Sequence, residues 1–179
     1  MARYVAFFAS MNVGGNRLKM AELREVLERE GLEDVETVVA SGNVLFSYDD
    51  RPTDGLSEML ARMVKEYFRF ETFAAVCNAA QVRAAIEDNP FRESGEEKFV
   101  HTLFLDGEAD KDGFAKLLAD HAGRGAEKIA KGSRCLYIDY VDGVGSSRLT
   151  GDFIERRIGT RGTARNMRSL QRILDKMEE

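Results

Sequence analysis

The sequence predicts an α+β protein of two ferredoxin-like halves with antiparallel sheets, the second degenerate and ending in an extra C-terminal helix. Three observations carry this. Amphipathic helical stripes and short β-branched runs follow the order βαββαβ through residues 1–78. A second series, βαββα with one further helix, fills residues 79–179. No Ser-, Pro- or Gly-rich linker separates them, so the halves are expected to pack closely.

The elements follow in order. Tyr4 to Ala9 is apolar and aromatic and reads as a buried strand, ended by the loop that holds Gly14 and Gly15. From Lys19 to Glu30, Met20, Leu23, Val26 and Leu27 mark one helical face, and Gly31 stops it. Val35 to Ala40 and Val44 to Tyr48 flank Ser41-Gly42-Asn43, which predicts a hairpin. Pro52 opens a helix to about Phe70 with Leu56, Met59, Leu60, Met63, Val64 and Tyr67 on one stripe, and Glu71 to Cys77 is the next strand.

The second half starts with a helix, Ala80 to Glu87, stopped by Asn89-Pro90. Phe99 to Leu105 reads as a strand and Phe114 to His121 as a helix. Ala126 to Ala130 and Cys135 to Tyr140 form a hairpin turning at Lys131-Gly132-Ser133. A short helix from Thr150 to Ile158 and a last one from Ala164 to Lys176 complete the chain.

Composition bounds the function. The chain has 179 residues, 44 % hydrophobic and 32 % charged, with a formal net charge of −5. That suits an ordinary globular protein and argues against bulk disorder. A mildly acidic chain is a poor binder of nucleic acid or anionic membrane. Two Cys (Cys77, Cys135) and two His (His101, His121) give no metal-ligand spacing, so neither a metal nor another cofactor is expected. The N-terminus lacks the apolar segment of a signal peptide, and no stretch reaches the roughly 20 residues of a membrane span. A cytoplasmic location is the expectation.

Three Gly-bearing segments are candidate ligand contacts. In Asn12-Val13-Gly14-Gly15-Asn16-Arg17-Leu18-Lys19, successive glycines let backbone N–H groups line an anion-binding nest, with Lys19 as counter-charge. A plain β-to-α loop would need the same glycines. Ser41-Gly42-Asn43 is sufficient as a hairpin turn, yet Ser41 and Asn43 could face a ligand. In Thr160-Arg161-Gly162-Thr163-Ala164-Arg165-Asn166, Thr163 looks like an N-cap with Arg165 and Asn166 in the first turn. A cation opposes the dipole there, which makes sense if an anion also binds.

Charge is uneven. From Ser146 to Arg172 there are seven Arg (148, 156, 157, 161, 165, 168, 172) and two acids (Asp152, Glu155), so this stretch stands at +5. Such a stripe is usually a solvated face; in an acidic chain it also fits an anionic partner. His101 alternates with apolar neighbours on a strand and reads as a hydrogen-bonded, partly buried imidazole, and His121 sits at a helix C-terminus. No Ser/His/Asp or Cys/His set follows from spacing. The first half has the topology of an RNA-recognition motif, whose aromatics stack bases. Tyr4, Phe8, Phe46 and Tyr48 are better placed as core, because the 41–48 segment lacks that motif's basic start and aromatic positions.

Five motifs occur in order: Asn12-Val13-Gly14-Gly15 with Lys19-Met20; Ser41-Gly42-Asn43-Val44; Asn89-Pro90-Phe91; Tyr137 through Asp142-Gly143-Val144-Gly145; and Gly162-Thr163-Ala164-Arg165-Asn166. Together they resemble the bacterial family called domain of unknown function 1697. The resemblance implies a cytoplasmic protein of two ferredoxin-like parts without an established activity, and it transfers no catalytic residue. This chain has Ser10-Met11 where the family usually has Arg-Gly, and Met167 where it usually has Trp.

The resulting expectation is a protein that binds a small anionic, phosphate- or nucleotide-like ligand in a cleft between the halves. Asn12, Gly14, Gly15, Lys19, Ser41, Asn43, Arg165 and Asn166 would be the contacts. The alternative is an interaction module that presents the Arg stripe or a sheet face to a protein or RNA. Neither a reaction nor an oligomeric state follows from the sequence.

Overall fold

The computed structural model describes every residue except Ser10, Met11, Gly14, Gly15, Ala40 and Ser41, and of Asn12, Val13, Asn16 and Arg17 the strand backbone alone. The elements are β1 (Ala2–Phe8), β2 (Asn12–Val13), β3 (Asn16–Arg17), α1 (Met20–Arg29), β4 (Glu33–Thr37), β5 (Asn43–Tyr48), α2 (Thr53–Phe68), β6 (Ala74–Asn78) and α3 (Ala79–Glu87). Then follow β7 (Val100–Leu105), α4 (Lys111–His121), β8 (Lys128–Gly132), β9 (Cys135–Asp139), α5 (Gly151–Ile158), β10 (Gly162–Asn166) and α6 (Met167–Met177). Two compact units result: Met1–Arg83 with Arg172–Glu179, and Ala84–Gln171.

In the N-terminal unit the sheet order is β4-β5-β1-β6, all antiparallel, the arrangement a ferredoxin-like βαββαβ chain produces. Strand alternation divides its side chains between two faces. Tyr4, Ala6, Phe8, Val44, Phe46, Ala74 and Val76 share one face and pack with Leu23 and Leu27 of α1 and Leu56, Leu60, Met63 and Val64 of α2. Tyr4 and Phe46 stack 5.5 Å apart within it, so these aromatics are core and no base-stacking platform. The predicted α2 stripe runs one turn too far: Tyr67 is exposed and donates to Glu30 Oε1 at 2.6 Å. Asn78 and Gln81 exchange side-chain-to-backbone hydrogen bonds and open α3 as a capping box.

The C-terminal unit repeats the order as β10-β7-β9-β8. Leu103, Leu105, Leu136 and Ile138 face Leu117 of α4 and Ile154 and Ile158 of α5. Asp110 caps α4 through Gly113 N–H at 2.8 Å, and Thr150 caps α5 through Phe153 N–H at 3.2 Å. Gly159, at φ +77°, ends α5 in the left-handed conformation that glycine takes at no steric cost.

Where a loop was expected after β1, β2 and β3 pair antiparallel, and the end of the chain differs further from the sequence expectation. Thr163 does not cap a helix, and Arg165 is in no helical turn: the chain stays extended through Asn166 and pairs Gly162 to Asn166 with Leu105 to His101 of β7. This supplies the fourth strand of the second sheet. The helix starts later, at Met167, and Asn166 is its cap, its Oδ1 accepting from Ser169 N–H at 2.8 Å.

Candidate functional site

β10 lies against β7 because position 162 is glycine. A Cβ there would come within 2.8 Å of the Leu103 side chain, so a larger residue would push the edge strand away. The register then sets three side chains in a row across the face opposite α4 and α5. Arg165 is across from Thr102, and Thr102 is across from Tyr137. The neighbouring row is Thr163, Phe104 and Cys135. Gly132 leaves the space that Tyr137 and Cys135 occupy: a Cβ would stand 2.6 Å from Cys135 Sγ and 2.7 Å from the Tyr137 ring.

This face is buried and polar. Thr102 is 1 % exposed, Tyr137 6 % and Thr163 8 %. Arg165 is half-buried; its Nη1 donates to Thr163 Oγ1 at 2.6 Å and to the Ala164 carbonyl at 2.9 Å. Burial pulls its guanidinium down to about 10, which leaves it charged at neutral pH. Burial also raises the Cys135 thiol, and burial with the adjacent Cys135 pushes the Tyr137 phenol well above its ordinary range. Both stay protonated and neutral, so the charge in these two rows is the guanidinium. Chemically the rows offer one cation, hydroxyl groups and a phenol, a set that suits an oxyanion.

The other predicted contacts belong to the N-terminal unit. The β1 end and the β4–β5 turn leave the sheet together: Phe8 N–H donates to Gly42 O at 2.8 Å, and Phe7 is across from Asn43. The Asn12 segment, which follows β1, and Asn43 therefore start from one end of that sheet. Asn43 is the first residue of β5 rather than a turn residue, and is 2 % exposed. Lys19 is exposed at the N-cap position of α1 and makes no side-chain cap bond. Asn12 pairs with Arg17 in the β2–β3 ladder. Gly14, Gly15 and Ser41 lie outside the described residues. Asn166 is committed to capping α6.

Sequence reasoning singled out Arg165 but missed Thr102 as its neighbour. The signal was a Thr on the same strand face as Val100 and Phe104, which acquires meaning only with the register. The histidines behave as expected of packed residues. His101 Nδ1 is 3.2 Å from Phe99 O and its ring meets Tyr140 edge-on at 5.0 Å. Buried His121 places Nε2 2.9 Å from Glu127 O. Among the described residues no group of three His, Cys, Asp or Glu could hold a metal ion, and no helix is long and apolar enough to cross a membrane.

A family model described as protein of unknown function DUF1697 matches residues 1–137. The chain belongs to that family. The DUF1697 match ends before β10, so the Gly162–Asn166 motif lies beyond it. The solved structure of the conserved bacterial protein SP0830 from Streptococcus pneumoniae is similar over 100 % of this chain and 99 % of its own, at 23 % identity and a TM-score of 0.75. At that identity the likeness establishes the fold alone. No curated protein matches the chain.

Proposed function

We propose that this DUF1697 protein is a cytosolic binder of a small anionic ligand, phosphate- or nucleotide-like, with Arg165 as its principal contact. The observation that carries the reading is the half-buried guanidinium of Arg165 on a sheet face with Thr102, Thr163 and Tyr137. Its Nη1 donates to the Thr163 hydroxyl and the Ala164 carbonyl, and a guanidinium forms charge-assisted hydrogen bonds with oxyanions.

A thermal-shift screen of the full chain against inorganic phosphate, nucleotides and sugar phosphates tests this. A ligand at 100 times its dissociation constant adds about 2.7 kcal/mol, a rise on the order of 5–10 °C for a chain of this size. The shift is expected to vanish in Arg165→Ala. A shift that survives that substitution, or none with any anion, ends the reading. Lys19→Ala tests the N-terminal loop by itself.

A further inference from the structure

The motif from Tyr137 to Gly145 runs into the connection between β9 and α5, residues 140–150, which the proposed anion contacts leave unused. The connection leaves the sheet with Val141 at φ +59°, a left-handed value that is strained for a β-branched residue. Val141 and Val144 are exposed. Further along, the chain is tied down at Ser147. Its hydroxyl donates to Glu127 Oε2 at 2.7 Å, and its Oγ accepts from Leu149 N–H at 3.1 Å.

Glu127 stands just before β8, with its side chain 9 % exposed. Its other oxygen, Oε1, is buried and has no hydrogen-bond partner. A Cβ at Gly125 would collide with Oε1, so the carboxylate lies against a glycine backbone. A buried carboxylate is costly unless both oxygens are compensated. Beside Oε1 is His121, the last residue of α4. Its Nε2 is 3.6 Å from Oε1 and 2.9 Å from the Glu127 carbonyl oxygen. A carbonyl oxygen only accepts, so Nε2 carries a hydrogen whether the ring is neutral or charged. A further proton then enters at Nδ1 and makes the ring a cation next to Oε1. The C-terminus of α4 favours that cation.

The other ionisable neighbours do not take this place. Burial, with the charge of Glu127 added, pushes the Tyr140 phenol up to about 12, so it stays neutral. His101 of β7 meets the Tyr140 ring edge-on at 5.0 Å, and burial holds its imidazole below the ordinary value. Arg124 lies over the Phe153 ring at 4.2 Å, Asp120 is paired with Arg157 and Lys116, and Lys128 is exposed.

We propose that His121 and Glu127 form a pH-sensitive latch on residues 141–148, closed while His121 is protonated. Histidine is the side chain whose charge changes between about pH 5 and 8. The imidazolium compensates Oε1, so the carboxylate stays in place and keeps Ser147. Once His121 loses its proton, Oε1 is buried without a counter-charge. The carboxylate regains water by turning outward, which breaks the Ser147 bond and frees the segment. The latch does not depend on Arg165.

Amide hydrogen exchange of the full chain, read by NMR at about pH 6 and about pH 8 and corrected for the intrinsic effect of pH on exchange, tests this. Leu149 N–H, bonded to Ser147 Oγ, reports the latch, and Ile138 N–H in the middle of β9 is the reference. In wild type Leu149 is expected to be about tenfold better protected at the lower pH, with Ile138 unchanged. Glu127→Gln should abolish the difference, because glutamine keeps an acceptor for Ser147 and carries no charge. His121→Gln should leave Leu149 weakly protected at both pH values, because glutamine offers an N–H to the Glu127 carbonyl but never a charge. Equal protection of Leu149 at both pH values in wild type, or a difference that survives either substitution, overturns the latch. Should the variants fail to fold, the wild-type protein decides. Its two histidines give separate ring Cε1–H resonances, and the Ser147 and Leu149 amide resonances must move with the midpoint of His121. A different midpoint, or stationary amides, overturns the proposal.

Discussion

The two units share a strand order and differ in what they place on the sheet face opposite the helices. In the N-terminal unit that face is Val5, Phe7, Leu45 and Cys77, with Asn43 at one end. In the C-terminal unit it is Val100, Thr102, Phe104, Cys135, Tyr137 and Asp139, with Thr163 and Arg165 on the edge strand. Both faces are buried: Phe7 and Leu45 are 0 % exposed, Thr102 1 % and Asp139 4 %. Burial of apolar surface stabilises without further conditions, whereas a buried polar face must satisfy each group it holds. The first face therefore reads as packing. The second carries hydroxyls, a phenol, a carboxylate and a guanidinium, and is where ligand chemistry can be placed. Topology alone does not separate them; the residue types at alternate strand positions do.

The largest effect that would break this contrast comes from the packing face. Phe7→Ala removes a fully buried ring and is expected to cost about 3–5 kcal/mol. Thr102→Val is its counterpart on the polar face. It nearly conserves volume and gives up one long hydrogen bond to Ala85 O at 3.5 Å. Its expected cost is below about 1.5 kcal/mol. Urea denaturation of both variants measures the difference. Equal losses would mean that the polar face is as much a packing device as the apolar one.

Next in size is Gly132→Ala. The added Cβ meets Cys135 Sγ and the Tyr137 ring inside van der Waals distance, and both side chains are buried. Overpacking of this kind costs about 1–3 kcal/mol. The variant should also displace Tyr137 from its row with Thr102 and Arg165. Loss of stability with unchanged anion binding would show that Tyr137 plays no part in the ligand face.

Much of the frame was legible because its signals are local. The α1 stripe Leu23, Val26, Leu27 and the α2 stripe Leu56, Leu60, Met63, Val64 repeat at helical spacing, and these residues are buried as that spacing demands. The strands of the two hairpins lie within two or three residues of their predicted bounds. The end of the chain was not legible. Gly162-Thr163 has the composition of a helix start, and no alternation of apolar residues marks Thr163-Ala164-Arg165-Asn166 as a strand. β10 exists because β7, some sixty positions earlier, offers an edge to pair with, and sequence spacing cannot show a partner so distant. Arg165 was thus singled out through a helix dipole that is absent, and its setting is a sheet face instead. His121 was visible as the end of a helix, but its setting against Glu127 and Ser147 emerges only with the fold.

Asn166→Ala sharpens the contrast at the scale of neighbouring residues. Arg165 and Asn166 are adjacent, yet alternation sends their side chains to opposite faces of β10. Asn166 caps α6, so its loss is expected to cost about 1 kcal/mol in thermal or urea denaturation while leaving anion binding intact. Arg165→Ala should do the reverse. If Asn166→Ala also abolished binding at unchanged helicity, the division of labour between the two would be wrong.

The smallest expected effect is on pH dependence, and it concerns the C-terminal unit. Glu127 is 9 % exposed at its side chain, and burial alone would raise its carboxyl. The Ser147 hydroxyl, which donates to Oε2 at 2.7 Å, outweighs that together with the residue's own backbone and the charge of His121, so the carboxyl titrates below its ordinary value. A carboxyl depressed in the folded state binds its proton more readily when unfolded. Its stabilisation is therefore complete above the unfolded value and is lost as pH falls through the folded one. Stability measured by urea denaturation should decline between about pH 5 and pH 3. Glu127→Gln is expected to flatten that decline, because glutamine has no proton to take up. An acid decline that is unchanged in Glu127→Gln would remove Glu127 from the acid response of the C-terminal unit.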